Sequence, residues 1–371
     1  MPGDTDILTP SNPARTSSNL RQTRPGSGRD ESLDIAKGFG IILVVLGHCL
    51  DGLIASGFFP ASLMWPTLAV YVIYLFHMPL FFVVSGHLAS GKHRPIGTTL
   101  AKLLQTIVYP YFLWSILQGL TLIYFSKYTT SQMHISSLYK ILWAPIVPYW
   151  FLYALFLCQI GYLAIRKLSH QMQLGIAIAA FLIPSFFLLP LGGANLNIVP
   201  ETTRGFLYFI LGIVSVAQVK QFGRWTALSA TILFVVFAIV YYQSQFGGAL
   251  ASIAALPAGM AGIIATLAWA RMLAANGGRL VSMLAFCGRY SMSIYVTHIF
   301  FTAGVRIVLK RLATGSASSS GAAPGLLATC IEIAAATVVG TALPLAINWV
   351  VSKLNLDAWF GLQHMETNQG L

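Results

Sequence analysis

The sequence predicts an all-α protein, a polytopic integral membrane helical bundle with about ten transmembrane helices. Three observations carry that prediction. Hydrophobic residues make up 56% of the 371 positions against 9% charged, and the mean hydropathy is +0.74. A soluble domain carries about a quarter of its residues as charges. The third observation is a series of apolar runs, each near the length that a helix needs to cross a hydrocarbon core. The formal net charge of +12 does not indicate nucleic acid, because the basic residues stand singly between apolar runs, as topology signals do.

Residues 1–30 are rich in Pro, Ser, Thr, Gly and Arg without periodicity, and read as a disordered cytoplasmic tail. The first apolar stretch begins only near Ile35, too far along for a cleavable leader, so the tail is expected to stay attached. A membrane domain follows at 31–353, and a short cytoplasmic tail at 354–371. Ten candidate spans run over 35–53, 66–88, 103–125, 150–165, 174–191, 205–219, 225–242, 250–273, 290–309 and 326–351. Residues 138–149, with Trp143, Pro145 and Pro148, are too broken to span and read as an interfacial or re-entrant piece. The Ser, Ala and Gly run over 315–325 reads as an outer loop, and no internal repeat is evident. With the N-terminus inside, sixteen of the 22 Lys and Arg residues fall on the cytoplasmic side and six outside. That asymmetry places both termini in the cytoplasm.

Ionisable side chains within spans are costly and point to function. His48, His77 and His298 are the three histidines in such positions. His48 follows Lys37 by eleven residues, about 16 Å along a helix and on nearly the same face, so a cation at the cytoplasmic mouth and a mid-membrane imidazole line one stripe. Asp34, three residues before Lys37, either pairs with it to hold it in place or forms an ordinary interfacial anchor. An imidazole is the natural group to take a hydroxyl proton at neutral pH, which makes His48 the candidate general base. His77 either joins that site or serves the helix break at Pro79. His298, nine residues after Arg289 and on roughly the opposite face of what reads as one helix, is a candidate to meet the same cavity as His48. His87, Lys92, Arg94 and Lys102 cluster near the inner surface with Lys37 and Arg289, and are candidates to surround phosphates. Glu201 and Arg204 read as a surface pair or part of an acceptor site. The four cysteines lack CxxC spacing and read as buried thiols, and no metal is expected.

The stretch ESLDIAKGFGIILVVLGH resembles the opening helix of acyltransferase family 3, within it the fucose 4-O-acetylase-like group. FHMPLFFVVSGHL, VYPYFLW, PYWFLYALF and FCGRYSMSIYVTHIF are similar to later signatures of that family, in the same order, so the resemblance runs from Glu31 to Val351. It implies a membrane O-acyltransferase of a bacterial cytoplasmic (inner) membrane. Such an enzyme takes an acyl group, usually acetyl from acetyl-CoA, and moves it to a hydroxyl of a sugar or polysaccharide precursor, or of another acceptor. Where the family has an arginine ahead of its first histidine this chain has Lys37, which keeps the charge without the forked donors. Where many members open the third helix with a basic pair, Thr98, Thr99 and Lys102 stand here.

The mechanism so implied uses His48 as base, with His298, Ser85 or Tyr295 as candidate oxyanion donors. Cys49, about 100° around the helix from His48, is poorly set for a covalent acyl-enzyme. A transporter or flippase for a polar or lipid-linked solute is the alternative that mid-membrane histidines equally allow. A structural scaffold would leave them without a task.

Overall fold

The computed structural model describes residues 30–59, 63–91, 95–125, 135–187, 198–244, 248–316 and 326–365. All regular structure among them is helical. Helix α1 (Glu31–Ala55) begins with Glu31 and Asp34 in its first turn, where acidic groups complement the exposed N–H groups, and continues as an apolar run interrupted by Lys37, His48 and Asp51. α2 (Trp65–Ala89) starts with Pro66 at a position that needs no N–H donor. α3 (Ile96–Leu103) passes through a π turn at Leu104–Val108 into α4 (Tyr109–Tyr124). The wide turn falls just before Pro110, whose ring removes one ladder donor. A 3-10 helix at Ile135–Leu142 precedes α5 (Trp150–Ile165), α6 (His170–Phe187), α7 (Ile198–Val214) and the single turn α8 (Val216–Val219). Then come α9 (Arg224–Ser244), α10 (Gly248–Asn276), α11 (Arg279–Arg289), α12 (Ser291–Ser316), α13 (Leu326–Lys353) and the short α14 (Asp357–Phe360).

Each of the ten apolar segments falls on a helix, but among the described residues seven helices are long and apolar enough to cross a membrane. α5 and α6 are apolar and shorter, and α7 carries Glu201 and Arg204 near its start. The piece at 138–149 does not span: it is a 3-10 turn followed by irregular backbone. Hydrogen bonds tie it to the bundle: the Ile141 carbonyl accepts the Tyr111 hydroxyl, and the fully buried Tyr149 donates its hydroxyl to the Val296 carbonyl at 2.9 Å. Irregular backbone at membrane depth requires such protein partners. The tail at 1–29, and most of the Ser, Ala and Gly run, lie outside the described residues.

α1 is the hub, packed against α2, α10, α11, α12 and α13. Two reciprocal glycine crossings bring backbones together. Gly38 of α1 faces the Leu284 carbonyl of α11 while Gly288 of α11 faces the Asp34 carbonyl of α1. Gly86 of α2 faces Phe209 of α7 while Gly212 of α7 faces Val83 of α2. A Cβ at any of the four would overlap a carbonyl oxygen, so the approach depends on glycine. Gly40 meets Leu80 and Phe81, and Gly47 meets Ile73 and Tyr74, so α1 and α2 run antiparallel. At the rim α9 turns Ile232, Leu233, Val236 and Ile239 outward, as a lipid-facing helix does.

Three sequence expectations are corrected. Arg289 and His298 do not share a helix: α11 ends at Arg289, Tyr290 leaves the helical conformation, and α12 starts at Ser291. α11 is an amphipathic piece too short to register as a span, with Val281, Ala285, Cys287 and Gly288 buried and Leu280 and Met283 exposed. Arg306, one of the six basic residues that the sequence places outside, lies within α12 and reaches over Gly52 of α1. Of the cysteines, Cys49, Cys158 and Cys287 are buried and Cys330 is exposed.

Beyond α13 the chain folds back instead of leaving the bundle. Tyr109 and Trp114 of α4 donate to the carbonyls of Trp359 and Phe360 at 2.6 and 3.0 Å. Asn348 donates to the Gln363 carbonyl at 3.0 Å, Ser293 of α12 accepts the Gln363 N–H at 3.2 Å, and Leu362 and Met365 are buried.

Candidate active site

His48 of α1 and His298 of α12 face each other with ring centres 5.3 Å apart, and the Tyr74 ring of α2 stands 6.4 Å from His48 and 5.0 Å from His77. His77 is 4% exposed and His298 fully buried, so their polar atoms need partners inside the protein. His77 Nδ1–H donates to the Ile73 carbonyl at 2.8 Å, and His298 Nδ1–H donates to Tyr295 at 2.7 Å with Ile294 at 3.2 Å. A carbonyl only accepts, so Nδ1 carries the proton in both rings and Nε2 of the neutral form is a bare lone pair. His77 therefore serves its own turn. The Leu75 carbonyl that Pro79 frees lies instead against Gly259 of α10.

His48 and His77 open on a cavity of about 760 Å³. The irregular piece at 138–149 forms another wall of it, through Trp143, Pro145 and Pro148. Tyr295 lines the cavity as well, but its hydroxyl donates to the Pro148 carbonyl, tying α12 to that wall. Tyr71 and Tyr241 stack with centres 5.8 Å apart and add a second aromatic face. Asp51 and the Glu201–Arg204 ion pair supply charge, so the pair both bonds internally and lines the cavity. Aromatic faces with a few convergent polar groups suit a small hydroxylated ligand.

A second cavity, of about 230 Å³, lies further along the same face of α2, where Ser85 and Ala89 continue the stripe of Met78 and Phe82. Lys102 of α3 and Arg166 after α5 line it with Ser85, Thr99, Thr106 and Gln159. Ser85 follows His77 by eight residues on one helix, an axial step of about 12 Å. Because α1 and α2 are antiparallel, Ser85 falls at the same end of the bundle as Lys37.

The structure thus gathers the histidines and distributes the cations. Lys37 pairs with Asp34 at 2.7 Å. Arg289 follows Gly288, which touches Asp34, and its guanidinium lies 6.0 Å from the Phe286 ring centre. Lys37, Arg289, Lys102 and Arg166 therefore share one end of the bundle without sharing one cavity. His87, near the end of α2, accepts the Ser90 hydroxyl on its carbonyl at 2.7 Å. Lys92 and Arg94 lie outside the described residues. Ser85 lines the second cavity, about 12 Å along α2 from His77, and the Tyr295 hydroxyl is taken by the Pro148 carbonyl. Among the described residues no group of three His, Cys, Asp or Glu side chains is set to hold a metal ion.

Sequence reasoning missed Asp51 and Arg166. Asp51 had a usable signal: it is an acid inside the first apolar segment, three residues after His48 and on its side of the helix. Arg166 looked like a topology charge, and only its packing beside Lys102 separates it from Lys167.

An all-α bundle with several membrane-crossing helices around a buried histidine cavity is a polytopic membrane protein with the makings of an enzyme. Residues 30–349 match the acyltransferase domain, and the chain belongs to acyltransferase family 3. It is similar to the nodulation protein NolL of Mesorhizobium japonicum, at 29% identity over 210 residues, 53% of this chain and 52% of the relative. The nodulation protein NolL of Sinorhizobium fredii matches at 29% over 204 residues, 53% of this chain and 51% of the relative. The chain thus spans about half the length of these relatives. No solved structure matches.

Proposed function

We propose that the protein is a membrane O-acetyltransferase that moves an acetyl group from acetyl-CoA to a hydroxyl of a sugar or polysaccharide precursor, with His48 as general base. The observation that carries this reading is His48 itself: an imidazole within α1 on the wall of a cavity of about 760 Å³, with His298 beside it and His77 beyond Tyr74, both with Nδ1 already committed.

In the proposed reaction a bare nitrogen of His48 takes the hydroxyl proton as the acceptor oxygen attacks the thioester carbonyl. A C–O bond forms, the C–S bond breaks, and the proton passes from the imidazolium to the leaving thiolate. The products are an acetyl ester and free CoA. Tyr71, Tyr241 and Trp143 offer flat faces to the sugar, and Asp51, Glu201 and Arg204 offer groups to its other hydroxyls. The cationic residues at the other end suit the phosphates of the donor. Lys102 and Arg166 face one small cavity there, Lys37, Arg289 and His87 add to the basic surroundings, and Lys92 and Arg94 remain candidates from the sequence alone. That end faces the cytoplasm of a bacterial inner membrane in this reading, with both termini inside and the acceptor entering from the aromatic side.

The test is CoA thiol release from acetyl-CoA by the full chain in lipid vesicles, with and without a saccharide pool. Acceptor-dependent release with an ester on the saccharide is the expected result. Transport of a solute across the vesicle wall with no binding of CoA would overturn it in favour of a transporter.

A further inference from the structure

The three histidines of the site differ in what holds them. His77 and His298 each give Nδ1–H to a carbonyl of the preceding turn. Among the described residues no hydrogen bond is made by the ring of His48, which touches its surroundings through the rings of Tyr74 and His298. A base serves a substrate hydroxyl only if a bare nitrogen faces it, and which nitrogen is bare depends on the hydrogen bond that the other one makes. His48 needs an acceptor behind it.

His298 is built to be that acceptor. Its Nε2 is fully buried and has no partner among the described residues, while its only other nitrogen is committed to Tyr295. In the neutral ring it has no N–H left to offer an oxyanion, so it is set to accept rather than donate. With centres 5.3 Å apart, a small rotation of His48 brings one of its nitrogens into hydrogen-bond range of that lone pair.

We propose that His298 is a positioning residue for His48: its Nε2 accepts an N–H from His48 and so keeps the other His48 nitrogen bare toward the large cavity. When His48 takes the acceptor proton it carries two N–H groups, one toward the substrate and one still held by His298. When that proton passes to the leaving thiolate, His48 returns to the same tautomer. The role parallels the carboxylate that orients an imidazole in hydrolase triads, filled here by a second, neutral imidazole. The consequence for catalysis rests on the acyltransferase reading; the pairing itself does not.

The experiment is solid-state NMR of the full chain, labelled with ¹⁵N and ¹³C on histidine, in lipid vesicles, with the His48 signal assigned by its loss in His48→Gln. Wild type is expected to show one neutral tautomer for His48 and a through-space contact to His298. In His298→Phe, and likewise in His298→Leu, His48 is expected to split between two tautomers, with the His77 signal, held by its own turn, reporting that the variant is folded. His298→Gln keeps an acceptor oxygen and is expected to restore a single form. In acetyl transfer, kcat should fall at least about tenfold in His298→Phe, with KM for acetyl-CoA unchanged, and recover largely in His298→Gln. A single unchanged His48 tautomer in folded His298→Phe and His298→Leu overturns the pairing, whatever their activity. Tautomer mixing in those variants, when wild type transfers no acetyl group, upholds the pairing and overturns the acyltransferase reading instead.

Discussion

His48 of α1 and His298 of α12 meet ring to ring at 5.3 Å, although they lie near opposite ends of the sequence. α1 is held on one side by α12 and α13 and on another by α2, so the imidazole of its second turn from the end is set between two other histidine-bearing helices. His298 on one side and His77 beyond Tyr74 on the other each commit Nδ1 to a carbonyl of their own turn, which leaves His48 as the histidine of that row free to change its protonation partner.

Lys102 and Arg166 face the same small cavity from different helices, so each should contribute to holding an anionic donor. Changing either to Gln is expected to raise KM for acetyl-CoA about tenfold or more with little change in kcat, because a charge-assisted contact made in both ground and transition states is lost. Steady-state kinetics at varied ionic strength checks this. A fall in kcat at unchanged KM would place both residues elsewhere in the cycle.

The crossing of α1 and α11 depends on glycine from both sides. Gly288→Ala places a methyl group against the Asp34 carbonyl, a backbone neighbour that cannot turn aside as a side chain can. It should destabilise the bundle by about 1–3 kcal/mol, seen as a lower thermal midpoint in detergent. Gly97→Ala, whose Cβ meets nothing within 4 Å, serves as the control. Equal midpoints for the two variants would contradict the close crossing.

Trp143 lines the large cavity and contacts the Tyr139 ring at 5.4 Å. If this wall carries the acceptor, Trp143→Ala should raise the acceptor KM about three- to tenfold and leave the acetyl-CoA KM unaltered. Inhibition patterns with excess saccharide separate the two. A donor-side effect would reverse the assignment of the cavities.

The sequence made the helical segments legible because lipid imposes a coarse requirement, long apolar runs, that survives without knowledge of packing. The histidines were legible for the same reason, since His48, His77 and His298 interrupt those runs. What stayed hidden depends on contacts between helices. α11 has too little apolar length to register, yet it packs on α1 through two glycines. The break at Tyr290 that separates Arg289 from His298 leaves no Pro to mark it. Arg166 looked like any basic residue after a span until α5 set it beside Lys102. The role of Tyr295 turned on one hydrogen bond to Pro148, a partner that no spacing rule connects to it.

The most direct test of the central claim compares wild type with His48→Gln in a single turnover, in vesicles saturated with acetyl-CoA and a responsive saccharide acceptor. The account predicts that acetyl-CoA binding is retained while ester formation slows by about 10²- to 10⁴-fold, the contribution of a positioned base. Ester formation at the wild-type rate in a folded His48→Gln protein would show that His48 is not the base.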